Sequence, residues 1–240
     1  MVNSWKLIWS SKNPSDFALD QESKSFLIRL NGFDSGPGEY TVQDWDKMVI
    51  DVIKRAGVSS GIKILDVGCG CGAWLYSAQT LLELDIYGFD YSPTLIDIAK
   101  KVLPNGNFKV GEIKDILTIF PDVKFGFIVC HSVIQYLDDF DSVQLYIRDA
   151  TSLLKPNGVH ALLDINDKLA EKNYHAERSL SSSSEEYYSK FSTGLKHLFI
   201  DKEALINYLW DIKYKSLLSF PHAASSYINS KFRFNLLAFK

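Results

Sequence analysis

Cysteine, positive charge and long apolar runs are scarce in this sequence, and each shortage excludes something. Three cysteines occur in 240 residues, Cys69, Cys71 and Cys130. Their odd number and the Cys-x-Cys spacing fit neither a disulfide framework nor a zinc ribbon. They read as small buried residues in a reducing compartment, and no metal site is expected. Lys and Arg number 26 against 29 Asp and Glu, a formal net charge of −3. The basic face that a nucleic-acid partner requires is therefore not indicated. No apolar run reaches the ~18 residues of a membrane-spanning helix. The opening residues, MVNSWKLIWSSK, lack the apolar core of a secretion signal. These absences predict a cytoplasmic protein with neither a membrane nor a nucleic-acid partner. The rest is ordinary for a globular chain, 46% hydrophobic and 23% charged. A chain of this length buries roughly 70–75% of its unfolded surface without covalent staples.

Periodicity then orders the elements. The first 40 residues read as irregular, with Trp5, Trp9, Phe17, Phe26 and Phe33 and a turn-rich GFDSGPGEY. Thr41 and Asp44 resemble a capping box, and Trp45, Met48, Val49, Val52 and Ile53 follow at helical spacing until Gly57. Short apolar runs then alternate with helical segments. Strands are expected at 62–67, 85–90, 107–111, 125–131 and 159–165. Helices are expected at 73–84, 92–103 (Ser92 as cap and Pro93 as first residue) and 141–154. That alternation implies a parallel sheet covered on both faces. The ending breaks the pattern. A short helix at 201–210 precedes two β-rich runs, DIKYKSLLSF and SKFRFNLLAF, too close for a crossover helix and so expected to pair antiparallel. The polar stretch 166–193, with SLSSSSEEYYSK, leaves the carboxyl end of a central strand and reads either as a surface loop or as a lid. The expected organisation is one domain: a cover and helix over 1–57, a cofactor-binding core over 58–165, a candidate lid over 166–198, and a helix with an antiparallel hairpin over 199–240.

The stretch KILDVGCGCGAW, residues 63–74, carries the chemistry. A glycine-rich turn between the first strand and first helix exposes backbone N–H groups to a ligand that side chains would block. Gly68-x-Gly70-x-x-Ala73 also satisfies a dinucleotide fingerprint, and Asp90 could hold a ribose in either case. Asp66 weighs against a pyrophosphate, which it would repel. A ligand carrying an ammonium and a sulfonium would be attracted instead.

At this point the sequence resembles the class I S-adenosylmethionine-dependent methyltransferases. LDVGCGCG looks like the family's first motif, with Asp66, Gly68, Gly70 and Gly72 in place. GFDYS resembles its second-strand end, which implies Asp90 on the ribose and Tyr91 against the adenine. KVGEIKD is similar to the segment at the adenine edge, with Glu112 and Ile113. FGFIVCHSVIQYL resembles the fourth-strand motif, which implies Cys130 and His131 beside the methionine part. LLKPNGVHALLDI looks like the fifth-strand motif. Gly126 departs from the aspartate of many members, at a strand start away from the ligand. The resemblance implies an α/β, doubly wound, seven-stranded sheet with six parallel strands and an antiparallel last one. It implies S-adenosylmethionine as cofactor and methyl transfer.

The polar stretch and near-neutral charge suggest a small polar acceptor, O- or N-methylated, such as a sugar or a polysaccharide or natural-product precursor. The absence of an Asn-Pro-Pro-Tyr-like motif after the fourth strand weakens a nucleobase reading. An NAD(P)-dependent oxidoreductase and a non-catalytic methyltransferase-like binding subunit are the alternatives. His197, in GLKHLF, is the candidate general base, with a pKa near the reference ~6.5 suited to that role. His131 is a second candidate, with cofactor or backbone contact as its other reading. Gln135, Tyr136, His197 and Asn229 are expected to line the acceptor pocket. Trp5 and Trp9 read as core or as a cofactor cover. His160 reads as structural, and His175 and His222 as loop residues.

Overall fold

The computed structural model describes residues 4–10, 12, 23–34, 36–181, 196–224 and 226–240. Strand β1 (Lys63–Val67) leads to helix α4 (Ala73–Gln79), β2 (Asp85–Asp90) to α5 (Pro93–Val102), and β3 (Asn107–Val110) to a single turn, α6 (Ile116–Ile119). Strand β4 (Phe125–His131) is followed by α7 (Phe140–Leu153), and β5 (Leu154–Asn166) by α8 (Glu171–Ser181). Helix α9 (Lys202–Asp211) precedes β6 (Ser216–Phe220) and β7 (Arg233–Phe239). The seven strands form one sheet in the order β3-β2-β1-β4-β5-β7-β6. β1 to β6 share one direction, and β7 runs antiparallel to both of its neighbours, β5 and β6. The sequence-based expectation of six parallel strands and one antiparallel holds.

Alternation along the central strands explains the two cores. Phe127 and Val129 of β4 pack with α2 (Lys24–Leu30), α3 (Val42–Ala56), α4 and α5, while Phe125, Ile128 and Cys130 face α6, α7 and α9. The helix starts follow local chemistry. The Thr41 hydroxyl accepts from Asp44 N at 3.1 Å, Ser92 from Leu95 N, and Asp201 from both Glu203 N and Ala204 N. Gly57 closes α3 at φ +65°. Gly126 sits where any Cβ would lie 2.4 Å from the Ile62 side chain, so its small size is a packing requirement.

Four sequence-based boundaries change. The first 40 residues contain two helices, α1 (Ser4–Ser10) and α2. Phe26, Leu27, Ile28 and Leu30 of α2 are all buried, and four apolar positions in seven leave no amphipathic stripe to recognise. Helix α4 stops at Gln79 rather than 84, where the Thr80 hydroxyl turns back to Ser77 O at 2.7 Å. β5 starts at Leu154, before the Pro-Asn-Gly turn, because Leu154 already pairs with Phe125; the register then shifts before Val159. His175 lies in α8, not in a loop. Residues 182–195 of the candidate lid lie outside the described residues, and so does Phe17. No helix among the described residues is long and apolar enough to cross a membrane.

Candidate functional site

A cavity of about 730 Å³ opens along the carboxyl ends of β1, β2, β4 and the β7 start. The glycine loop forms its floor. Gly68, Gly70 and Gly72 all have left-handed backbone, with φ of +70°, +55° and +84°, a region costly for any residue with a Cβ. Space is also lacking. A Cβ on Gly68 would sit 2.6 Å from Val133, and one on Gly70 would sit 2.2 Å from the Asn31 amide oxygen. Asn31, just past α2, clamps the loop from behind: its Oδ1 accepts from Cys71 N at 2.8 Å and its Nδ2 donates to Cys69 O at 3.3 Å. All three cysteines are buried free thiols. Burial pushes each pKa up, Cys130 to about 12, so they are inert fillers.

Two carboxylates flank this loop. Asp66 is the penultimate residue of β1, is 3% exposed and meets no hydrogen-bond donor among the described residues. Burial, and then the neighbouring Asp90, push its pKa up to about 8. Asp90 ends β2; its Oδ2 accepts from Gly70 N at 3.1 Å and its Oδ1 from Ser92 N at 2.8 Å. Burial still raises it to about 6. Each Asp90 oxygen keeps a spare lone pair. The site thus presents hydrogen-bond acceptors and two carboxyls that a cation would ionise, in a low-dielectric floor where no cation pairs with them among the described residues.

Asp66, Gly68, Gly70, Asp90, Tyr91, Glu112 and Ile113 all line this end of the cavity. Gly72 and Cys130 do not: Gly72 packs on Leu103 and Ala99, and Cys130 faces the second core. The Glu112 carboxylate is engaged by Lys6 of α1 at 2.5 Å and by Lys114 at 3.1 Å, and those bonds hold its pKa below the usual range.

At the other end α1 closes over the site. The indole of Trp5 stacks on His197, and Tyr136 meets Trp5, Trp9 and His197 edge-on. His197 Nδ1 shares a hydrogen bond with the Tyr174 hydroxyl at 3.0 Å. Burial, then the cations Arg178 and Arg233, push the His197 pKa well below its ordinary value. This corrects the expected near-reference pKa: His197 is a neutral, weakly basic ring. His131 lies between Phe33 and Trp45, and burial lowers it to about 4. Its Nε2 is buried without a partner among the described residues. Tyr136, His131, His197 and Asn229 line the cavity, whereas Gln135 is buried behind it and donates to Ser132 Oγ at 2.7 Å.

The sequence reading missed a buried ionic cluster beside these rings. Asp164, near the end of β5, has φ +60° where the β5–β7 register shifts. Arg233 Nη1 bonds the Asp164 carboxylate and reaches Ser132 Oγ at 3.2 Å and Tyr227 OH at 2.8 Å. Tyr227 OH donates to Asp164 Oδ2 at 2.9 Å, and His222 Nε2 lies 3.3 Å from Oδ1. Burial alone would raise the Asp164 carboxyl, but Arg233 and then His222 hold it well below the carboxylate range. His160 is elsewhere, sealed between Tyr146 (2.8 Å) and Tyr214 (3.2 Å).

A family model described as "Methyltransferase domain" matches residues 58–217. An uncharacterized protein of Rickettsia prowazekii is 36% identical over 102 residues, 40% of this chain and 40% of that protein. The ubiquinone biosynthesis O-methyltransferase of Pelagibacter ubique is 28% identical over 113 residues, 45% of this chain and 44% of that one. The chain therefore spans less than half the length of either relative. Among solved structures, the magnesium protoporphyrin IX methyltransferase of Synechocystis superposes with a TM-score of 0.59 at 14% identity, over 93% of this chain and 98% of that one.

Proposed function

The chain belongs to the methyltransferase-domain family, and from that premise we propose that it binds S-adenosylmethionine on the glycine loop and methylates a small-molecule acceptor. The observation that carries the reading is the Asp66 carboxyl, buried in the cavity with no donor or cation against it among the described residues. Such a group is costly unless a positive or hydrogen-bonding ligand completes it. Asp90 suits a ribose, since its two oxygens still accept after bonding Gly70 and Ser92. The side-chain-free turn suits close approach of a ligand to the backbone. Tyr91 and Ile113 offer walls for an adenine, and Glu112 an acceptor at its edge.

When bound, S-adenosylmethionine supplies a methyl group activated by a sulfonium. The residues of the chain then have three tasks. Asp66 and Asp90 fix the cofactor. His131, Tyr136, His197, Trp5 and Asn229 shape the space into which the acceptor must fit. Helix α1, helix α8 with Tyr174 and Arg178, and His197 form a wall that excludes water. Neither histidine is a strong base at neutral pH, so positioning carries most of the rate, up to ~7–11 kcal/mol in ideal cases. The name of the Pelagibacter relative, a ubiquinone biosynthesis O-methyltransferase, supports a small acceptor over a polymer. Titration calorimetry with S-adenosylmethionine, S-adenosylhomocysteine and NAD tests the cofactor; methyl-labelled cofactor offered to metabolite fractions tests the acceptor.

A further inference from the structure

The acceptor end of the cavity contains an arginine only half used. Arg233 is 5% exposed in its side chain and lines the cavity. Among the described residues, every hydrogen bond it makes goes through Nη1, to Asp164, Ser132 and Tyr227. Among the described residues Nε is buried with no partner, and no hydrogen bond runs through Nη2. These two nitrogens form one edge of the guanidinium, the side-on pair of parallel N–H bonds that matches the two oxygens of a carboxylate. A buried donor such as Nε left unsatisfied is costly. Asn229, 1% exposed and also on the cavity wall, leaves its Oδ1 without a donor among the described residues.

Resting on the methyltransferase reading above, we infer that this edge is an anchor for the methyl acceptor, and that the acceptor is a carboxylic acid. Its carboxylate pairs side-on with Nε and Nη2 of Arg233, and a hydroxyl or amine on the same molecule donates to Asn229 Oδ1. The cluster is arranged for this. Asp164 is spent on the opposite edge of Arg233, where Tyr227 and His222 also hold it, so it locks the guanidinium without competing for the open edge. Trp5, Tyr136 and His197 give the body of the acceptor flat apolar walls. Of the acidic groups that line the cavity, Asp66, Asp90 and Glu112 belong to the other end, and Asp138 and Asp149 lie on the approach to α7 and within it; of the carboxylates only Asp164, on its far edge, acts on Arg233.

The test uses the full chain saturated with S-adenosylhomocysteine, and a series of hydroxybenzoates beside the matching hydroxybenzamides. By calorimetry, at least one acid should bind about tenfold or more tightly than its amide, the loss expected when one charged hydrogen-bond pair becomes mismatched. Arg233→Lys keeps a cation beside Asp164 but loses the paired edge; it should abolish most of that preference while S-adenosylhomocysteine binds as in the wild type. The Nε–H resonance of Arg233 in the wild type gives a second readout that needs no variant, shifting with acid and not with amide. Acids and amides binding alike, a preference that survives in Arg233→Lys, or an unmoved Nε–H resonance overturns the inference. A large loss of S-adenosylhomocysteine affinity in the variant also overturns it and gives the edge to the cofactor. Failure of the wild type to bind S-adenosylhomocysteine at all would sink the methyltransferase reading itself, and this inference with it.

Discussion

The indole of Trp5 lies flat on the imidazole of His197, ring centroids 4.6 Å apart and planes 17° from parallel. The same indole donates from Nε1 to Lys196 O at 3.1 Å. A helix at the start of the chain is thereby fastened to the segment that borders the acceptor end, across the mouth of the cavity.

Trp5→Ala should loosen that cover without touching the core. Stacking is worth ~0.5–1.5 kcal/mol, and a neutral hydrogen bond a further ~0.5–1.5 kcal/mol. We expect kcat/KM to fall roughly five- to 150-fold by that sum of ~1–3 kcal/mol, with the melting temperature nearly unchanged. Steady-state kinetics beside a thermal melt separate the two effects; a melt that collapses would make Trp5 a core residue instead.

The loop glycines should differ from an ordinary helix-ending glycine. Gly57, at φ +65°, has open space around it, so Gly57→Ala should cost only the backbone term of ~1–2 kcal/mol. Gly70→Ala adds a collision with Asn31 and should cost ~2–4 kcal/mol. Denaturant unfolding of the two variants measures the gap, and equal losses would mean that Asn31 simply moves aside.

The ionic cluster gives the largest stability effect. Asp164→Asn removes the only carboxylate bonded to buried Arg233 among the described residues. Breaking a buried pair on one side costs ~3–5 kcal/mol. Chemical denaturation should show that loss. A change below ~1 kcal/mol would mean that the guanidinium escapes to water.

The floor carboxylates fix the pH dependence. With no ligand, Asp66 titrates near about 8 and Asp90 near about 6, both above the ordinary carboxyl value. Between the unfolded and folded pKa values the folded protein holds protons that the unfolded chain has lost. Stability of the ligand-free protein should therefore fall as pH rises from about 4 to about 8. A cationic ligand favours the ionised forms, so its binding should expel protons and strengthen over about pH 6 to 8. Calorimetry in buffers of different ionisation enthalpy counts those protons. No release at pH 7 would mean that Asp66 is already ionised and solvated.

Much of this was legible in the sequence where the governing chemistry is local. β4 begins and ends at Phe125 and His131, as its apolar run indicates, and Thr41, Ser92 and Asp201 cap helices as their side chains require. The need for glycine at 68, 70 and 72 was visible too, although its partner Asn31 was not: Asn31 meets Cys71 across 40 residues of chain. Asp164 and Arg233 are 69 residues apart. They meet because β5 and β7 pair antiparallel near Asn166 and Arg233 and because a register shift turns Asp164 inward. The signal was present as one acid inside the apolar run VHALLDI and one arginine opening RFNLLAF, but no spacing rule joins them. His222 was dismissed for the same reason, since a loop position says nothing about the Asp164 carboxylate it faces. The His197 pKa depends on a ring from residue 5 and on two distant arginines, Arg178 and Arg233, which no local pattern reveals.

We propose that Asp90 and the glycine loop hold S-adenosylmethionine. Titration calorimetry on the wild type and Asp90→Ala tests it most directly. The wild type should bind S-adenosylmethionine and S-adenosylhomocysteine and not NAD. The variant, still folded by circular dichroism, should bind both at least about tenfold more weakly, since each charged hydrogen bond to the ribose is worth ~1.5–3 kcal/mol. Unchanged affinity in Asp90→Ala, or a wild type that prefers NAD, would contradict it.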